Sequence, residues 1–187
     1  MPSTRVLGKV NLYAPSAYAA PPVPSGIMVN VTHNASKTVG GSPNSKHRYG
    51  MAADWRMVNR SINPVALGII AAQYFKAVGI YWYDGCAIVH TDTRDAKATW
   101  LCDAPRHYPS TTYQKFILPT IRRGCTGDAN RAATKMLQRL LGLTPDGIFG
   151  EGTENALLKA QEAHGLAVDG ICGPASWKAI SGASKYL

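Results

Sequence analysis

Residues 80–92 read IYWYDGCAIVHTD, two β-prone runs joined by Asp84-Gly85. A two-residue Asp-Gly junction suits the turn whose twist matches paired antiparallel strands, so this stretch predicts a β-hairpin with His90 on its second strand. No other segment constrains the fold as tightly. Upstream, Asn63-Pro64 predicts a helix start, with Asn as cap and Pro in the first turn. PVALGIIAAQYFKAV then supplies an apolar helical body, and Gly79 is its expected stop. Ile27 opens a strand-like IMVNV, and residues 1–26, rich in Pro, Ala and Ser, predict an extended segment.

The last part of the chain is patterned differently. TPDGIFG (144–150) and AVDGICG (167–173) echo each other, with the Asp-Gly-Ile units 23 residues apart and a helix expected after each. Ahead of them, DANRAATKMLQRLLG places Met136, Leu137, Leu140 and Leu141 on one helical face, with Gly142 as stop. The second helix is expected to end at Gly165 and the third to open at Pro174. Each Asp-Gly unit offers a single acid where a calcium loop needs several, so each predicts a turn in which Asp ties down backbone N–H groups. Proline-containing DAPRHYPSTTYQ reads as a linker. The expected class is α+β, with one domain over 1–106, a linker over 107–118 and a three-helix module over 119–187.

The 187 residues, 45% hydrophobic and 17% charged, suffice for one ordinary core or two small ones. No run approaches the roughly 18 apolar residues of a membrane span, and the N-terminal stretch has no apolar signal-peptide core, so no leader is expected. Cys86, Cys102, Cys125 and Cys172 form no C-x-x-C pair, which argues against a thiolate zinc ribbon. Unpaired thiols are the expectation, with Cys86–Cys102 and Cys125–Cys172 as the alternative bridges. Net charge is +9. It favours a polyanion, and the scattered Lys and Arg, without a nucleic-acid signature, point to anionic wall polymers rather than DNA or RNA.

Hydrolytic zinc takes three His, Asp or Glu ligands and leaves one position for water. His47 and Asp54 offer two, with small residues Gly50, Ala52 and Ala53 expected to let the chain fold back between them; His90 offers a third. The first Glu is Glu151, so a proton acceptor before the module must be another residue. Asp92 shares a strand face with His90 and could act as base or orient a ligand. Asp84 is the second choice, about 20 Å back along a straight strand, with the hairpin turn as its simpler role. Asp95, Asp103, His33 and His107 complete the candidates.

SKHRYGMAAD fits S-x-H-x-x-G-x-A-x-D, and GIYWYDGCAIVHTDTRDAKATW resembles the G-(I/V)-x-x-Y…V-H-x-D-T-R…W segment of the zinc D-Ala-D-Ala carboxypeptidase family. That family includes cell-wall endopeptidases and phage endolysins and shares a fold with the hedgehog signalling domain. Residues 119–181 resemble a peptidoglycan-binding domain, with its L-Q-x-x-L, D-G-x-x-G and G-P-x-(T/S)-W landmarks. The resemblance implies one Zn2+ on His47, Asp54 and His90, and a monomeric peptidase cutting bacterial peptidoglycan while the C-terminal module holds the wall.

It also implies release into the wall during phage or prophage lysis, or secretion by a non-classical route. Two positions depart from the family. Ile88 stands where several relatives carry histidine, and Asn30-Val31-Thr32-His33 replaces a run that often holds a substrate-gripping arginine. Arg94, Arg48 and Ser45 are the expected substrate contacts instead. Rival expectations are a D-Ala-D-Ala carboxypeptidase acting on stem peptides and a wall-binding protein without catalysis. Trp177 and Phe149 are expected to pack in the module core.

Overall fold

A computed structural model of the protein describes residues 46–49, 51–55, 62–111 and 116–187. Ser45, His33 and the IMVNV segment lie outside the described residues, as does the side chain of Arg48. The fold is mixed α/β, with four α-helices and one five-stranded sheet among the described residues. The strands are β1 (Ala52–Trp55), β2 (Ala77–Tyr83), β3 (Cys86–Asp92), β4 (Ala98–Cys102) and β5 (Ser110–Thr111). They lie side by side in the order β1-β3-β2-β4-β5, antiparallel except for the parallel pair β2–β4.

The hairpin forms as expected and extends further, from Ala77 to Asp92 around Asp84-Gly85. Gly85 takes φ 79, a conformation open to glycine at little steric cost. Helix α1 (Pro64–Ala71) also starts where the sequence places it: the Asn63 side chain accepts a hydrogen bond from the Ala66 amide at 2.9 Å. It is shorter than expected, ending at Ala72, and Gly79 is not its stop but an interior residue of β2. Ala77 and Val78 pair with strands on both sides, and that two-sided ladder outweighs the helical pattern read from an apolar run.

Alternation divides the sheet into two faces. Val78, Ile80, Val89 and Leu101 point to α1 and are fully buried. The approach is close at Gly68, where an added Cβ would lie 2.5 Å from Ile80 Cγ1. The opposite face carries Asp54, His90, Gly79 and Trp100.

Helices α2 (Asp128–Leu140), α3 (Glu151–Ala163) and α4 (Pro174–Ser181) form the helical part. The echo in the sequence proves to be one structural unit used twice. Buried Gln138 Nε2 donates to Asp146 Oδ1, the Ile148 carbonyl and Thr153 Oγ1, while its Oε1 accepts from the Gly147 amide. Gln161 repeats this with Asp169, the Ile171 carbonyl, Ser176 and the Gly170 amide. Each Asp also accepts from the amide two residues on, as the turn reading expected, at 2.8 and 2.9 Å. Truncating a buried amide that satisfies several partners leaves each unpaired at about 1–3 kcal/mol. Gln161→Leu is therefore expected to destabilise the protein by about 3 kcal/mol, read as a lowered urea midpoint.

The helical part packs directly on the sheet part. One core runs from Val65, Ile69 and Leu101 through Ile117, Leu118 and Ile121 to Met136, Leu157 and Trp177. Within the span expected as a linker, Ser110–Thr111 pairs with β4, and Ile117 and Leu118 are buried; residues 112–115 lie outside the described ones. Apolar Ile-Leu is better buried than left in water, which draws this span into the interior. Polar contacts tie the two parts as well. Asn63 Nδ2 donates to the Ser181 carbonyl at 2.8 Å, and Lys135 Nζ lies 2.8 Å from Asp103 Oδ2. Burial pushes the Asp103 carboxyl up, but its bonds from Lys135 and His107 hold it below the usual range.

All four cysteines are free thiols. Cys86 and Cys102 border β2 from opposite sides, against Tyr83 and Tyr81, so the width of a whole strand separates them. Trp177 and Phe149 are core residues, and the Trp177 indole donates to the Pro119 carbonyl at 2.9 Å. No described helix is long and apolar enough to cross a membrane.

Candidate metal centre

Strand pairing brings together residues that lie far apart in the chain. Asp54 on edge strand β1 stands directly opposite His90 on β3, so their side chains rise from the same sheet face. His47 comes from a 3-10 turn, Lys46–Tyr49, just before β1. The Met51 amide donates to the Lys46 carbonyl, and the Thr93 amide to the Met51 carbonyl, both at 3.0 Å, which pins that turn beside the end of β3. The chain thus leaves a helical turn at Tyr49 and enters β1 at Ala52, and Gly50, one of the small residues expected to let it fold back, lies outside the described residues.

Three atoms converge. His90 Nδ1 lies 2.9 Å from Asp54 Oδ1 and 3.1 Å from His47 Nε2, which is itself 3.3 Å from Asp54 Oδ1. Ligands bonded at about 2.0–2.1 Å to a tetrahedral ion lie about 3.3 Å from one another. The triangle is of that size, and two imidazoles with one carboxylate are a donor set zinc accepts, so the residues fit the ion.

The second nitrogen of His90 is also engaged: Nε2 lies 3.2 Å from Asp92 Oδ2. Burial disfavours the His90 imidazolium, but the bonds and charges of Asp54 and Asp92 outweigh it and raise the pKa above the ordinary histidine value. Asp92 has a fully buried side chain held by the Arg94 guanidinium, with Arg94 Nε at 2.7 Å from Oδ1 and 3.0 Å from Oδ2. Burial pushes the Asp92 carboxyl up, yet the His90 and Arg94 bonds hold it far below the usual range. This carboxylate sits behind the His90 ring, away from the His47–Asp54 side, and suits fixing the ring rather than meeting a water.

Arg94, expected at the substrate, is committed to Asp92 and lies over the Trp100 ring, 5.7 Å from its centroid. Asp84 stands exposed at the hairpin turn, 3.5 Å from Arg139 Nη2, and is not brought to the triangle. Asp103 and His107 bond each other beside α2, and Asp95 is exposed.

The sequence left the part that two residues play in the site unread: Gly79, which reads there as a helix stop, and Trp100, which closes the segment that resembles the peptidase family. Gly79 lies between His90 on one side and Trp100 on the other, and the indole occupies the space its missing side chain leaves. An added Cβ there would fall 2.2 Å from Trp100 Cε2. Across this gap the Trp100 ring reaches the His90 ring, with centroids 5.3 Å apart. An isolated glycine in a β-prone run signals such close approach, and GIYWY carried that signal.

Beside this centre, the twice-used Gln–Asp-Gly unit and its three helices have a recognisable counterpart. Residues 126–180 match the family model "Putative peptidoglycan binding domain". That match supports association of the protein with the cell wall through its helical part, and peptidoglycan as a partner. It covers less than a third of the chain and does not reach the triangle of His47, Asp54 and His90. No curated protein and no solved structure matched.

Proposed function

We propose that the protein is a zinc-dependent peptidase that hydrolyses peptide bonds of bacterial peptidoglycan, in the manner of an endolysin, while its peptidoglycan-binding part holds the wall. The observation that carries this reading is the triangle of His47 Nε2, Asp54 Oδ1 and His90 Nδ1, with sides of 2.9 to 3.3 Å. It shares a chain with a segment matched to wall binding. A bound zinc would supply a water acidified toward a pKa of about 7 and a Lewis acid for the scissile carbonyl.

The chain's own residues do the rest. Asp92, braced by Arg94, holds Nε2 of His90 so that Nδ1 faces Asp54 and His47, the carboxylate–histidine arrangement that keeps a ligand in one tautomer. The helical part, packed on the sheet part through a shared core, keeps the polymer near the triangle and raises the local concentration of its bonds. The hedgehog-like peptidase fold of the sheet part belongs to this proposal.

The test is turbidity of purified cell walls. Zinc-loaded protein is expected to clear them with new amino termini, lose that action in EDTA and regain it with added Zn2+. Wall binding is expected to survive EDTA, because Gln138 and Gln161 organise the helical part without a metal. Release of free D-Ala alone would indicate a carboxypeptidase, and sedimentation with walls that stay turbid would indicate a binding protein and overturn the peptidase reading. The binding reading draws on one observation, that the matched residues are confined to the helical part.

A further inference from the structure

We propose that the Tyr81 hydroxyl is a catalytic hydrogen-bond donor of this centre, placed to hold the carbonyl oxygen of the scissile bond as negative charge develops on it. The inference rests on the peptidase reading above. Tyr81 is two residues from Gly79 on β2 and so projects from the face that carries Asp54 and His90. Of its two cross-strand partners, Ile88 offers no polar group and Cys102 turns its thiol to the Ala104 carbonyl.

The phenol does not extend away from the row. Its oxygen accepts from Trp100 Nε1 at 3.0 Å, and that nitrogen lies directly over Gly79, 2.3 Å from where a Cβ would stand. Gly79 is in turn the residue opposite His90. The Tyr81 oxygen thereby lies beside the indole edge that covers Gly79, on the sheet face that carries His90 and Asp54.

Hydrogen-bond accounting supplies the second argument. An indole N–H only donates, so the Trp100 bond uses a lone pair of the phenol and leaves its proton to give. Among the described residues that proton has no acceptor. Burial raises the Tyr81 pKa well above the ordinary phenol value, so the group keeps its proton at neutral pH. Arg94 is committed to Asp92, and Asp84 is at the far end of the hairpin. A donor already oriented by a neighbour needs little reorganisation when charge appears, and removing one such donor typically costs a factor of about 10² to 10³ in kcat.

The experiment compares wild type, Tyr81→Phe and Trp100→Phe, each zinc-loaded, on a purified muropeptide and against a phosphinate analogue of the cleaved bond. Tyr81→Phe keeps the ring contacts with Trp100 and Tyr108 and is expected to retain about one zinc per chain. Its kcat should fall about 10²-fold with KM nearly unchanged, and phosphinate affinity should fall by a similar factor. Trp100→Phe keeps the phenol but frees it, and a smaller loss of kcat is expected.

Unchanged kcat and phosphinate affinity in Tyr81→Phe overturn the assignment while leaving the peptidase reading intact. A loss that tracks loss of zinc also overturns it, since the tyrosine would then be supporting the ligands. Wild-type protein that binds zinc but cleaves nothing overturns both.

Discussion

Replacing His90 by alanine is expected to remove the zinc and the wall-clearing action together. His90 is the vertex that joins the other two ligands: its Nδ1 faces Asp54 and His47, and its Nε2 faces Asp92. Without it an ion would keep two protein ligands where hydrolytic sites hold three, and Asp92 would lose the group it orients. Zinc affinity should fall by a factor of about 10³ or more, since loss of an outer-sphere partner alone costs about 10 to 100-fold. Metal content after dialysis and clearing of purified walls are the two measurements. His164→Ala, at the exposed cap of α3, is the matched control and should change neither. Full metal content in the His90 variant would remove the basis of the centre.

The second large effect is expected at a residue with no side chain at all. Gly79→Ala puts a methyl group 2.2 to 2.5 Å from three atoms of the Trp100 indole, well inside contact distance. The backbone at Gly79 is ordinary extended strand, so the strain comes wholly from the indole, which must leave its place over β2. With it go the bond to Tyr81 and the ring contact with His90. Overpacking of this kind costs about 1–3 kcal/mol or more, and a loss of about 3 kcal/mol, with weaker zinc binding, is the expected result. Urea unfolding of the variant checks the first and competition with a chelating dye the second. Adding Trp100→Leu should recover part of the stability, because the clash is then relieved; a Gly79→Ala protein as stable as wild type would show that the indole lies elsewhere.

How far each part could be read from the sequence follows from the range of the interactions that make it. The hairpin was readable because Asp84-Gly85 and its flanking strands form a contiguous local unit, and the start of α1 because Asn63 caps its own first turn. The helical part was readable for a similar reason: Gln138 and Gln161 each organise a loop within fifteen residues, and the repetition printed itself in the sequence. Gly79 was misread as a helix stop, since a glycine after an apolar run looks the same whether it ends a helix or lies in a strand under a neighbour's ring. Asp92 was recognised as a neighbour of His90, but which side of the ring it took depended on the ring's orientation and on Arg94.

By itself, then, the sequence determined the local pieces: a hairpin ending in histidine, a capped helix, two Asp-Gly turns with their helices, and three residues of a kind that zinc accepts. Only the tertiary structure decided that Asp54 and His90 face each other, that Gly79 opens a path from Trp100 to His90, and that Ile117 and Leu118 join the two parts in one core. Pairing register and side-chain burial are set by every neighbour at once, across dozens of residues of chain, whereas a turn or a cap is set by the few residues that compose it.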